Sequence, residues 1–380
     1  MRRLAVIGAG PIGIAAAIGA IERGFDVTVL EKGNVGDSLR SWGTTRFFSP
    51  LRMNISPRMH ELLGASIPDD ALLSGVEMID RVLRPLAERD PLRGHIRTGT
   101  RVSAIGRRGL TRSDYAGHPL RAERPFRIVL NDDEVIEADV VLDATGGYAV
   151  PNAIGAGGLP APGEKDVKPI RTLSALDAAR EDLRGKRILL IGDGHSAANA
   201  ILSLAQLANE NRSTRVLWAV RRPNRRPCEE VVDDPLPERA TVVGAANALA
   251  ESPPEFLSVE RRAMVDAFAR LDDGIEVRLT GGRTVVVDHI AAFTGSRPNS
   301  GILRELTVET SPVTEGSARL YRAIANVTDC LTVPRVSVDD LSSGEPDFYF
   351  IGSRSYGSAP AFLLRTGLAQ LETILDSLQR

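Results

Sequence analysis

Cysteine is nearly absent from this chain of 380 residues: only Cys228 and Cys330 occur. That excludes a disulfide framework and a Cys-x-x-Cys redox pair, and it makes a reducing, cytoplasmic setting the expected compartment. Histidine is also scarce. None of the five (His60, His95, His118, His195 and His289) stands at metal-ligand spacing from another, so no metal site is expected. Neither a catalytic triad nor a pair of carboxylates is visible. An excess of one charge is missing too: 47 basic against 49 acidic residues leave a net charge of −2, no footprint for nucleic acid or an anionic membrane. One long uncharged run does occur. Leu4 to Ile21, behind Arg2 and Arg3, imitates a signal peptide or membrane span. Gly8, Gly10, Pro11, Gly13 and Gly19 make it a poor membrane helix, and the chain continues into the strand pattern Phe25 to Glu31. At 43% hydrophobic and 25% charged residues, the composition suits two soluble domains.

What the chain does have is two glycine-rich turns of one kind. Gly8-Ala9-Gly10-Pro11-Ile12-Gly13 follows the apolar run Leu4 to Ile7, and Gly192-Asp193-Gly194-His195-Ser196-Ala197 follows Ile188 to Ile191. Each stands between a strand pattern and an Ala-rich helical pattern. In such a turn the first Gly permits the tight bend, the second lets backbone approach a pyrophosphate, and the third small residue lets helix pack on strand. The phosphates then rest on the N–H groups and positive dipole end of the helix. Two such motifs point to two dinucleotides in one chain, the arrangement of a flavin reduced by a nicotinamide.

The first unit reads as strand 4–8, helix 11–23 and strand 26–31, with residues 58–90 helical and strands at 96–105, 126–131 and 135–142. It closes on Thr145-Gly146. Residues 147–164, rich in Gly and Pro, read as the linker between domains. The second unit reads as a strand at 188–191, helix 195–209 and strand 215–220, closing on Thr294-Gly295. The last stretch, Phe348 to Gly352 and helix 360–378, must return to the first lobe. The expectation is an α/β chain of two Rossmann-like dinucleotide-binding domains. An FAD domain (1–150 and 300–380) is discontinuous, and an NADPH domain (151–299) is inserted into it.

Glu31, at the end of the second strand, lies near the usual spacing of about 20 residues for an acid that binds a ribose, and Lys32 beside it is counted with this site. The equivalent strand of the second unit ends instead in Arg221-Arg222. Guanidinium suits a 2′-phosphate, so FAD is assigned to the first site and NADPH to the second. His195 and Ser196 open the second helix and are expected beside the phosphates. Residues 40–60 carry four arginines and three aromatics and follow the acid-bearing strand, where ligands bind in doubly wound sheets. Trp42 and Phe48 are candidates to flank the flavin, and Arg46 or Arg52 to meet its phosphates or an anionic substrate.

Three segments carry a family resemblance: Trp42-Gly43-x-x-Arg46-x-Phe48-Ser49-Pro50; Gly194-His195-Ser196-Ala197-x-Asn199; and Ser355-Tyr356-Gly357-x-Ala359-Pro360 through Gly367. Together they resemble short bacterial FAD-dependent oxidoreductases related to the flavin-containing monooxygenases, some of them known as arsenic-operon flavoproteins. The resemblance implies FAD on Gly8, Gly10, Gly13, Glu31, Trp42, Thr145 and the region of Gly352 and Ser353, and NADPH on Gly192 to Ala197. It further implies a monooxygenase that passes oxygen from a flavin peroxide to a nitrogen or sulfur of a small molecule, with dioxygen as co-substrate. The histidine-containing fingerprint of flavin-containing monooxygenases is not evident in 168–186. A reductase passing electrons to another acceptor therefore stays open beside it, although Ile12 fills the loop position where disulfide reduction would want a cysteine. A homodimer is likewise open.

Overall fold

The apolar runs that precede the glycine loops become central strands of parallel sheets, because only a strand covered on both faces can be apolar at every position. In the computed structural model, which describes residues 1–64, 66–327 and 330–379, the chain divides into two compact units. One comprises Met1–Arg40, Pro50–Val150 and Ser296–Arg380; the other comprises Ser41–Ser49 and Pro151–Gly295. Both are α/β units built on a parallel Rossmann-like sheet.

In the first unit five parallel strands run in the order Phe348–Phe350, Val140–Asp143, Arg3–Ile7, Asp26–Leu30, Ile96–Arg97. Helix Pro11–Glu22 buries Pro11 through Ala20 without interruption. It meets helix Leu364–Leu378, whose stripe Leu371, Ile374, Leu375 and Leu378 is buried. The approach is close enough that a Cβ at Gly19 would stand 2.7 Å from Leu375 Cδ1. Each such aliphatic side chain contributes about 1.5–3 kcal/mol on burial. An antiparallel sheet of Val102–Arg107, Phe126–Leu130 and Glu134–Ala138 supplies Ile105, Phe126, Ile128 and Leu130 to the core that also holds Phe348 and Phe350.

In the second unit the parallel order is Leu257–Arg261, Arg215–Val220, Arg187–Ile191, His289–Ala292. Helices His195–Glu210 and Pro237–Glu251 pack with Ile188, Leu190 and the fully buried Trp218. Leu189, Ile191 and Ile290 join instead a core with the antiparallel strands Val265–Leu271, Gly274–Leu279 and Thr284–Val287.

Some sequence expectations differ from these elements: the strand stretches 96–105 and 135–142 each divide between the parallel sheet (Ile96–Arg97, Val140–Asp143) and the antiparallel one (Val102–Arg107, Glu134–Ala138). Residues 58–90 are not one helical stretch. Helix Pro57–Leu63 stops at Gly64, whose φ of +70° is left-handed, and a new helix starts at Ser74 with a capping box to Glu77. Residues 41–49, placed by the sequence within 1–150, group with the second unit. Local bonds hold them there: the Ser174 N–H donates to Ser41 O (3.2 Å) and Thr44 Oγ1 to Asp177 (3.3 Å).

Candidate functional site

The three glycines of the first loop meet three different surroundings. Gly8 has φ +105° and stands so close to the strand carrying Asp143 that a Cβ would lie 2.7 Å from Ala144 O. A Cβ on Gly13 would lie 2.0 Å from Gly8 O, whereas one on Gly10 would meet nothing within 4 Å. Gly10 is therefore the open point of the loop. It caps helix Pro11–Glu22 with extended backbone (φ −80°, ψ −176°) and no side-chain cap, so the free N–H groups of the first turn face a space free of side chain.

The second loop repeats this geometry. Gly192 has φ +125° with a Cβ position 2.4 Å from Phe293 O, and Gly194 again has nothing within 4 Å. Gly194 caps helix His195–Glu210 at φ −89° and ψ −178°, and Ala197 is buried where the first loop has Gly13. The Trp218 indole N–H donates to Gly192 O at 2.8 Å and fixes the bend, a contact the sequence reading missed. Both loops thus offer a cradle that a side chain would fill, lined by unpaired helix N–H groups, and both fit a dinucleotide pyrophosphate.

Around the first loop the structure gathers most of the residues expected there. The Glu31 carboxylate is buried and accepts from Ala9 N–H (2.8 Å) and Gly33 N–H (2.9 Å), leaving each oxygen a further lone pair. Thr145 donates to Asp143 through its N–H (3.0 Å) and hydroxyl (2.7 Å), and Gly146 lies near the Ser353 hydroxyl. Gly352, at φ +63°, presses on Ile12, whose carbons a Cβ would approach to 3.0 Å. Sequence reading missed the joint beneath: the fully buried Arg354 donates to Asp143 at 3.1 Å, which couples the Thr145 turn to the Gly352 turn. Lys32 is exposed.

Trp42 and Arg46 group with the second unit, in the segment Ser41–Ser49. Trp42 stacks on Phe47 with centroids 4.7 Å apart, and Arg46 is exposed. Phe48 meets the His195 ring edge-on at 5.3 Å. Crowding around the imidazole lowers the His195 pKa, with the Arg239 guanidinium adding to the effect against Asp234 and Glu229, so the ring is neutral near pH 7. Ser196 is exposed beside it, and Gly295 (φ +80°) closes the neighbouring strand end with its carbonyl accepting from Asn152 N–H at 3.0 Å.

Arg221 occupies in the second unit the place that Glu31 holds in the first, immediately after the second parallel strand, and it is exposed. Arg222 is engaged: it lies 3.6 Å from Asp193 inside the glycine loop and donates to Glu229 at 3.1 Å. Both cysteines are buried and neither forms a disulfide. Burial, with Asp193 nearby, pushes the Cys228 thiol up to about 12, so it is protonated at neutral pH. Among the described residues no cluster of side chains could hold a metal ion, and no helix is long and apolar enough to cross a membrane.

Solved structures share this fold. Bacillithiol disulfide reductase Bdr from Bacillus cereus superposes with a TM-score of 0.73 at 18% identity, covering 100% of this chain and 98% of its own. A flavin monooxygenase from Stenotrophomonas maltophilia gives 0.64 at 19% identity, with 100% and 99% covered. An ornithine N-hydroxylase from Kutzneria sp. 744 gives 0.63 at 14%, again with 100% and 99% covered. No curated protein matches the sequence. The family model for pyridine nucleotide-disulphide oxidoreductases matches residues 2–316. With two open glycine loops at helix starts and that match over most of its length, the chain belongs to the pyridine nucleotide-disulphide oxidoreductase family, for which flavin and pyridine nucleotide use is typical.

Proposed function

We propose that the chain is an FAD-dependent monooxygenase that oxidises NADPH and transfers one oxygen atom of dioxygen to a nitrogen or sulfur of a small molecule. The other oxygen leaves as water, so NADPH, a proton, dioxygen and substrate give NADP⁺, water and oxygenated product. Bound FAD supplies the two-electron relay between NADPH and dioxygen. The observation that carries this reading is the state of the thiols. Ile12 stands within the flavin loop, Cys228 and Cys330 are buried and form no disulfide, and the Cys228 thiol is protonated. Reduction of a disulfide proceeds through a thiolate, and Cys228 offers none at neutral pH. FAD is held by the first loop, with Glu31 accepting from its ribose. NADPH is held by the second, and Arg221 takes its 2′-phosphate because Arg222 is already balanced by Asp193 and Glu229.

The test is a stoichiometry. With NADPH in air and a panel of amines and thioethers, oxygen consumption should match oxygenated product for at least one compound, with little hydrogen peroxide released. Complete recovery of the oxygen as hydrogen peroxide across the panel overturns the reading. Rapid anaerobic reduction of a quinone or a disulfide would then establish a reductase in its place.

A further inference from the structure

The segment Ser41–Ser49 is fastened to the second unit along its length. Ser41 O accepts from Ser174 N–H, Thr44 Oγ1 donates to Asp177, and Gly43 (φ +58°) sits so close that a Cβ would lie 3.1 Å from Ser174 Cα. At its far end Phe48 touches His195, the first residue of the helix behind the second glycine loop. Arg46 lies two residues before Phe48, a span of at most about 7 Å along the chain. Its guanidinium is exposed and has no partner among the described residues.

A dinucleotide pyrophosphate on Gly192 to Ala197 would bring about two negative charges to a helix end that offers roughly half a positive charge. The nearby cations are otherwise engaged: Arg222 pairs with Asp193 and Glu229, and Arg239 pairs with Asp234 at 2.6 Å. His195 is neutral. Arg46 and Arg221 have no partner among the described residues, and Arg221 is taken up by the 2′-phosphate in the reading above, which leaves Arg46 for the pyrophosphate.

We propose that Arg46 binds the pyrophosphate of the nicotinamide nucleotide, and that Phe48, packed on His195, is the positioning residue that holds it at the helix start. This rests on the reading that the second loop carries that nucleotide. It moves Arg46 from the flavin phosphates, where sequence order placed it, to the other dinucleotide.

The test uses the flavin-loaded protein and oxidised nucleotides, so no turnover is involved. Calorimetric Kd values for NADP⁺ and NAD⁺, and the Kd of FAD, are measured for the wild type, R46Q, F48L and R221Q. A charge-assisted contact to phosphate corresponds to roughly ten- to a hundredfold in affinity. R46Q should weaken NADP⁺ and NAD⁺ by the same factor in that range and leave FAD unchanged. F48L should weaken both nucleotides by a smaller common factor, and R221Q should weaken NADP⁺ alone. Loosened FAD with unchanged nucleotide binding in R46Q would return Arg46 to the flavin and overturn the proposal. So would no change in any of the three constants, or a loss confined to NADP⁺, which would mean contact with the 2′-phosphate. A wild type that binds neither NADP⁺ nor NAD⁺ would overturn the nucleotide reading of the loop together with this proposal, whereas the oxygen stoichiometry leaves both standing.

Discussion

Gly10 and Gly13 belong to one loop, yet their surroundings set different limits on replacement. A methyl group on Gly13 would have to occupy the space of the Gly8 carbonyl, 2.0 Å away, while one on Gly10 enters open space. Gly13→Ala should therefore destabilise the apoprotein by at least about 3 kcal/mol, the upper end of ordinary overpacking. Gly10→Ala should cost the apoprotein no more than about 1 kcal/mol, the preference of a helix cap for Gly over Ala. Its effect should fall instead on FAD, whose Kd should rise about tenfold or more because the added methyl stands where the pyrophosphate approaches. Urea midpoints of both apoproteins and fluorescence titration with FAD separate the two outcomes. Equal loss of stability in the two variants would mean that Gly10 is a packing residue and not the open point of the cradle.

At the scale of elements, the parallel strands that open the loops were legible because Leu4 to Ile7 and Ile188 to Ile191 are continuous apolar runs next to a glycine signature. Less legible were elements held by contacts remote in sequence. The antiparallel strands Val265–Leu271 and Gly274–Leu279 alternate weakly and are fixed by the core they share with Ile191 and Ile290. The partner of Trp42 and Phe48 could not be read from chain order, since the segment follows the first unit in sequence but bonds to Ser174 and Asp177.

A third device was equally hidden. Glu345, in the turn before strand Phe348–Phe350, is buried between Arg107 (2.8 Å) and Arg121 (2.9 Å), and Thr307 donates to it through both N–H and hydroxyl. Arg107 also lies 3.6 Å above the Phe126 ring. Burial works to raise the Glu345 pKa, but Thr307 and the two guanidiniums outweigh it and hold the carboxyl below its ordinary value. Glu345→Gln leaves two guanidiniums buried without their counter-ion and should cost about 3–5 kcal/mol. The sign with pH follows from the lowered value. The stability due to Glu345 is present above the unfolded carboxyl's pKa of about 4.3 and is lost as pH falls through the folded value. Urea unfolding between neutral pH and pH ~3 should thus show a shallower acid decline in Glu345→Gln than in the wild type. An unchanged acid limb would show that the carboxyl is not ionised in the native state.

For the whole molecule, the same loop geometry occurs once in each compact unit, at Gly8 to Gly13 and at Gly192 to Ala197, so each ligand should stabilise its own unit. A ligand that binds only the native state adds about 2.7 kcal/mol when present at a hundred times its Kd, and slowed amide exchange reports where that protection falls. FAD should protect residues 8–13, 31–33, 143–147 and 351–353, which surround the first cradle through Glu31, Thr145 and Gly352. NADP⁺ should protect 192–198 and, with them, 41–49, although those residues follow the first unit's strands in sequence. Hydrogen–deuterium exchange with each ligand added separately makes the comparison. Protection of 41–49 by FAD but not by NADP⁺ would mean that the segment serves the flavin after all, and that its bonds to Ser174 and Asp177 are a resting arrangement.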